Sequence, residues 1–372
     1  MNVLTTGGRG VRWAAVWGVA VAAMAAGAVV SPPAGADGAS VSVVIPGLDN
    51  PRGITVGADG QMYVAEAGTG EAGSGKVVAL DHGHLRTVAV GLPSATANEN
   101  DVTGPTNVAV SPQGKLVATI GVGPQDLDGR YNSLLRLEPG TDKSVADIQA
   151  FIKAHPDTTD LDQPPNPTDS NPYGVAWVDS THYVVADAAA NRLLMVGPAG
   201  AVRAVAKFPN QVVSTAGVPG GFPVPFKPAE AVPTSVAIGP DGYAYVGELK
   251  GFPFTPGTSR IWRVSLSAHD VTCDPSATSG PCTLFADGFT AITGVDFAPD
   301  GSLYVVSFLK NGLLADGPPV GALYRLTNGV RTELAAGQLT LPGDVAVSRN
   351  GTVYVTNQSV FSGGGQVVTV AQ

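Results

Sequence analysis

Cysteine is almost missing from this chain, with two in 372 residues. That count excludes a disulfide-dense scaffold and a cysteine-ligated zinc module. Charge is sparse too, and it is not basic: 21 Lys and Arg against 30 Asp and Glu give a formal −9 without a cationic cluster. A nucleic-acid backbone therefore meets no electrostatic footprint, and no nucleic-acid partner is expected. Catalytic signatures are lacking as well. There is no Gly-x-Ser-x-Gly elbow, no His-Glu-x-x-His pair and no phosphate loop ending in Gly-Lys-Ser or Gly-Lys-Thr. The five histidines fall at 82, 84, 155, 182 and 269. None stands where the repeat described below would present a general base, which weighs against lactonase or quinoprotein chemistry.

Turn chemistry is abundant instead. The 48 glycines and 30 prolines make about one residue in five a turn former. They punctuate a repeated strand pair, seen as Pro51 to Val56 with Asp59 to Glu66, and as Pro105 to Val110 with Gln113 to Thr119. Further copies are Pro172 to Trp177 with His182 to Asp187, Pro233 to Ile238 with Asp241 to Glu248, Thr293 to Phe297 with Asp300 to Val305, and Pro342 to Val347 with Asn350 to Asn357. Turn glycines at 60, 114, 242, 301 and 351 recur about every 58 residues, the period of propeller blades. The fold class expected is all-β, a six-bladed β-propeller occupying residues 37–372 as one domain. Its last blade runs out of chain at Gln366 to Val370, and Ser40 to Ile45 supplies the missing outer strand. In blade two, Val145, Ile148, Phe151 and Ile152 have helical spacing with Ser144 as N-cap, and Pro156 to Pro172 reads as an exposed irregular loop.

Residues 1–36 read as a secretory signal peptide: Arg9 and Arg12, an apolar run from Trp13 to Val30, and Ala34-Gly35-Ala36 before a cleavage site near Ala36. The competing reading is a retained membrane anchor, disfavoured because Ala, Gly and Val dominate the run. The expected location is extracellular or periplasmic, with no stable anchor after processing. In that compartment Cys273 and Cys282, eight residues apart across two turn formers, are expected to pair; a metal reading is weak, with only His269 nearby.

Strand alternation places first-to-second-strand loops on one face and second-to-third-strand and inter-blade loops on the other. The first face has tight turns; the second receives nearly every long insertion, so the ligand-binding site is expected there, at the axial mouth. The repeat aims Asn107, Asn171, Ser235 and Asp344, and the strand-ending Glu66, Asp187, Glu248 and Asn357, toward this mouth. Such carboxylates and amides suit Ca²⁺, with Asn107, Asn171 and Asp344 as candidate ligands; the alternative is that these side chains cap neighbouring loops. Asp187 reads as pairing within its blade with Asn191-Arg192. Asp157, Asp160 and Asp162 lack the glycine and terminal Glu of a calcium loop and read as solvated acids. Phe252 and Phe254, with Phe222 and Phe226 in a second Pro-rich loop, either line an apolar pocket or pack against each other.

Several segments, Asn100-Asp101-Val102-Thr103-Gly104-Pro105 and Gly247-Glu248-Leu249-Lys250-Gly251-Phe252-Pro253-Phe254 foremost, together with Leu48 to Gly53, Tyr63 to Gly68 and Ser170 to Val175, resemble the ScyD/ScyE family of exported propeller proteins. The likeness covers almost the whole mature chain. It implies export and a six-bladed ring, and it transfers no catalytic residue. Two functions follow as expectations. One is a binding scaffold recognising a small molecule, peptide or envelope partner at the long-loop face. The other is a Ca²⁺-dependent or carboxylate-based enzyme, lactonase-like or acting in oxidative maturation of a phenolic or indolic metabolite.

Overall fold

Each repeated pair forms the inner half of an antiparallel sheet. In the computed structural model, which describes residues 39–98, 101–138 and 141–371, six such sheets form the blades of a β-propeller. The signal-peptide reading lies outside the described residues. The Asp-Gly turns work by one local device. Asp59, Asp241 and Asp300 each accept from the backbone N–H two residues on, at 2.9–3.2 Å, and the glycine between sits at φ near +80°, where an L side chain is disfavoured. Blade three lacks that glycine and holds its turn through Asp179, which accepts from the N–H of both Thr181 and His182.

The second strands, such as Val64-containing Met62–Glu66 and Ala244–Glu248, are buried along their whole length. A strand inside a blade is covered by neighbouring blades on both faces, so its apolar residues run on without polar alternation. Between blades three and four the packing gathers Leu193, Val205, Phe208, Val246 and Trp262. Each blade therefore contributes to two inter-blade cores.

Closure follows the expected route. Val41–Leu48 is the outer strand of blade six, pairing antiparallel with Gly365–Val370, with Val41 opposite Val370 and Val43 opposite Val368. Cys273 and Cys282 form a disulfide, Cα atoms 5.2 Å apart. The connection that carries it does more than join two strands of blade four: just before Cys273, Val271–Thr272 pairs in parallel with the outer strand of blade three, Val202–Lys207, and Arg203 donates to the carbonyls of Ala268 and Leu266.

Two local expectations are corrected. Ser144 is not a helix cap, because Thr141–Asp147 completes blade two by pairing with Ser133–Glu138; the helix is Ile148–Ala154, capped by the Asp147 side chain on Ala150 N–H. Sheet pairing overrides helical spacing there. The segment from Pro156 to Pro172 has no regular element until its end, yet it is not simply exposed: Asp157, Asp162 and Ser170 are buried. No described helix is long and apolar enough to cross a membrane.

Candidate functional site

The inner strands surround the axis, and their third residues alternate in kind around the ring: Gly53, Asn107, Gly174, Ser235, Gly294, Asp344. The glycines are needed for close approach. A Cβ on Gly53 would lie 2.5 Å from Asn107 Cα, one on Gly174 2.9 Å from Ser235 Cα, and one on Gly294 2.7 Å from Asp344 Cα. Gly294→Ala is therefore expected to cost about 1–3 kcal/mol as overpacking against backbone that cannot yield; a chemical-denaturation midpoint unchanged from wild type would contradict that contact.

Asp344 ties blades across the axis. Its Oδ2 accepts from Ile54 N–H and from Asn107 Nδ2, both at 3.1 Å, while Oδ1 accepts from Val345 N–H. Asp296 makes a similar tie from blade five to blade six, accepting from Val347 N–H at 2.7 Å. Asp344 is buried and Asp296 half-buried, and loss of solvation pushes Asp344 up to about 8 and Asp296 to about 6. They border an axial chamber of about 210 Å³ that reaches from the third residues to the strand ends near Trp177 and Ile238, in the half toward the short-turn face.

The other predicted residues do not join them. Glu66 is enclosed within blade one, accepting from Asp49 N–H and facing Lys76 at 3.4 Å; burial raises its pKa. Glu248, its counterpart in blade four, accepts from Lys250 Nζ and from Trp262 Nε1, both at 2.6 Å. Asn171 holds Val122 N–H at 3.0 Å in a different pocket, and Asn357 holds Thr340 N–H. Asn107, Asn171 and Asp344 thus do not converge on one point, and the Asn107 oxygen already accepts from Val108 N–H. Asp187 makes no ion pair with Arg192: it accepts from Ser170 Oγ and the N–H groups of Asn171 and Ala190, while Arg192 donates to the carbonyls of His155 and Pro156. Residues that follow the second strands, Ala188, Leu249 and Phe308, and residues that lead into inner strands, Val232 and Leu341, form an apolar cluster that fills the long-loop end of the ring.

Two further sites lie on the long-loop side. Asp101 is buried with neither carboxylate oxygen hydrogen-bonded, 3.9 Å from the Arg52 guanidinium and beside Tyr173. Burial, only partly offset by Arg52, carries its pKa up to about 6. The second is a cavity of about 220 Å³ formed where three insertions meet, lined by Ser214, Val218, Phe254, Pro256, Asn311 and Leu314 among others. Phe252 and Phe254 settle both sequence alternatives at once. Their rings pack in series with Phe222, at 5.6 and 5.8 Å, and Lys227 lies 4.8 Å over Phe252, whereas Phe254 also borders the cavity. Phe226 does not join them and stands exposed on the adjoining hairpin.

Sequence reasoning took Asp160 and Asp162 for solvated acids and did not connect them with Glu230. Asp160, Asp162 and Glu230 bring ligand oxygens within 4.8 Å of one another. Asp162 is held up to about 8 and Glu230 to about 7, in each case mainly by burial and then by neighbouring negative charge. The Asp-x-x-Asp-x-Asp spacing was visible; Glu230, far along the chain, was not linked to it.

No described protein family matches the chain, and no curated protein does. Solved structures do, and they are six-bladed β-propellers. The PQQ-bound aldose sugar dehydrogenase of Streptomyces coelicolor shares 15% identity over 91% of this chain and 100% of its own, with a TM-score of 0.53. The apo soluble aldose sugar dehydrogenase of Escherichia coli shares 12% over 90% and 99%, at 0.52. A protein described as a gluconolactonase shares 14% over 90% and 92%, at 0.50. At these identities the likeness establishes the fold alone.

Proposed function

We propose that this protein is an exported binding scaffold of the ScyD/ScyE type that takes a small, largely apolar molecule in the cavity beside Phe254. The observation that supports this reading is the composition of the cavity wall. An aromatic ring and aliphatic groups surround three uncharged hydrogen-bonding side chains, Ser214, Thr255 and Asn311, and no wall residue is titratable. That is a recognition surface without an acid or base. Size points to a one- or two-ring ligand, since a cavity of about 150 Å³ holds benzene and this one measures about 220 Å³. A phenolic or indolic molecule combines the required ring with a group for Asn311 or Ser214.

Ligand-observed NMR against single- and fused-ring phenols, indoles and their aliphatic counterparts tests the reading. Ring compounds are expected to bind, and Phe254→Ser is expected to weaken them on the order of tenfold, the loss of one buried aromatic contact. Binding that survives Phe254→Ser would refute the pocket. The enzyme reading rests on a different observation, the buried Asp101 carboxyl, which accepts no hydrogen bond and lies 3.9 Å from the Arg52 guanidinium. Turnover of an ester, lactone or phenol abolished by Asp101→Asn, with Phe254→Ser unaffected, would favour it instead.

A further inference from the structure

We propose that Asp160, Asp162 and Glu230 bind one Ca²⁺ ion, which fastens the Pro-rich segment between blades two and three to the chain entering blade four. Their oxygens lie within 4.8 Å of one another. Oxygens on opposite sides of a Ca²⁺ ion are about 4.6–5.2 Å apart, twice the metal–oxygen distance, so the group fits around one ion with little movement. Carboxylates are the hard anionic donors Ca²⁺ prefers.

A cluster of acids alone would not justify a site. The decisive observation is Asp162, whose side chain turns into this cluster with only 8% of the residue exposed, while its carboxylate accepts no hydrogen bond from any described residue. With so little of Asp162 exposed, its carboxylate has no protein donor and little room for water, and it faces two more acids. None of the three forms an ion pair with a described residue. Lys227, whose ammonium feels the charge of Glu230, is engaged elsewhere, donating to the Phe252 carbonyl at 3.2 Å. A cation is what the arrangement lacks.

The other two acids are already oriented as ligands. Asp160 accepts from the N–H groups of Asp162 and Asn166, one on each oxygen, which fixes the turn of chain that presents Asp162. Asn191 Nδ2 donates at 3.1 Å to both Glu230 Oε1 and Asp157 Oδ2. Such outer contacts set the direction of a ligand and sharpen affinity. Glu230 also ties the site to the loop of the Phe cluster, because its carbonyl accepts from Gly251 N–H at 2.9 Å. The ion would thus brace the loop that carries Phe252 and Phe254, yet its binding does not require that cavity to hold a ligand.

Calorimetric titration of Ca²⁺ into the EDTA-stripped protein is the test. One ion per chain is expected, with Mg²⁺ weaker because it demands a tighter octahedron. Asp162→Asn and Glu230→Gln are each expected to reduce affinity by at least the roughly tenfold that loss of an outer-shell partner costs. Asp126→Asn, in the exposed loop of blade two, should leave it unchanged. Protease cleavage between residues 158 and 168 of the wild type should slow when Ca²⁺ is added, a readout that does not depend on either variant folding. No Ca²⁺ binding by the wild type at millimolar concentration would overturn the proposal, as would binding that Asp162→Asn and Glu230→Gln leave intact or cleavage that Ca²⁺ does not slow.

Discussion

Glu248→Ala is expected to remove about 3–5 kcal/mol of folding stability, the range for leaving one member of a buried ion pair alone. Glu248 and Lys250 are both within 1% of complete burial, and the carboxylate takes the Lys250 ammonium on one oxygen and the Trp262 indole N–H on the other. Truncation strands both donors in the same core. Burial already depresses the Lys250 pKa, and Glu248 is the group holding it up; without that carboxylate the lysine sheds its proton more readily. The penalty should therefore be largest at low pH, where a proton is hardest to shed, and smaller toward pH 9. Replacing both residues, Glu248→Gln with Lys250→Met, should recover most of the loss, because a neutral pair buries no charge. Urea unfolding of the three proteins measures this; a Glu248→Ala cost below about 1 kcal/mol, the value of an exposed pair, would mean the pair is solvated.

The second large effect is a dependence on pH. An ordinary aspartate ionises near 3.8, whereas burial in the axial ring raises Asp344 to about 8. Between those values the folded chain keeps a proton that the unfolded chain releases, so stability falls as pH rises from about 4 to about 8 and levels off above. Across the window the loss amounts to several kcal/mol. Asp296, raised to about 6, acts in the same direction over the lower half only. Asp344→Asn removes the titrating group and keeps one acceptor oxygen toward Ile54, so its stability should decline less than wild type between pH 6 and 8. Asp162 and Glu230 titrate in the same range and contribute equally to both proteins; the difference between the two profiles isolates Asp344. Parallel profiles would show that Asp344 is ionised throughout.

The ring was readable because its information is periodic. Six copies of one strand pair, five with an Asx turn and blade two with Ser111 in that role, reinforce one another, and the count left one strand missing at the carboxyl end and one spare at Ser40. The glycine alternation in the column holding Gly53, Asn107, Gly174, Ser235, Gly294 and Asp344 was not read from the sequence, because its reason is the backbone of the neighbouring blade. Strand ends were harder. Glu66, Asp187 and Glu248 occupy equivalent positions, but whether such a carboxylate faces the axis or caps a loop depends on what lies beside it, and Lys76, Ser170 and Trp262 decide each case separately. The sites outside the repeat were hardest. The cavity beside Phe254 and the acids around Asp162 are assembled by insertions that share no period, from residues tens of positions apart.

The outer strand of blade six is the first described strand of the chain and its partner the last, so Val41 waits for Val370. Time of synthesis thereby becomes a constraint. Five blades can find all their strands while the chain is still growing, but the sixth stays open until Gly365–Val370 is made, with one strand edge unpaired at each side of the gap. Bringing such distant segments together adds little entropy cost per extra residue, yet long-range pairing of this kind is slow to form. Those two waiting edges are the nascent protein's exposure to wrong partners, and the same late event, once completed, leaves neither end of the sheet array free to unzip.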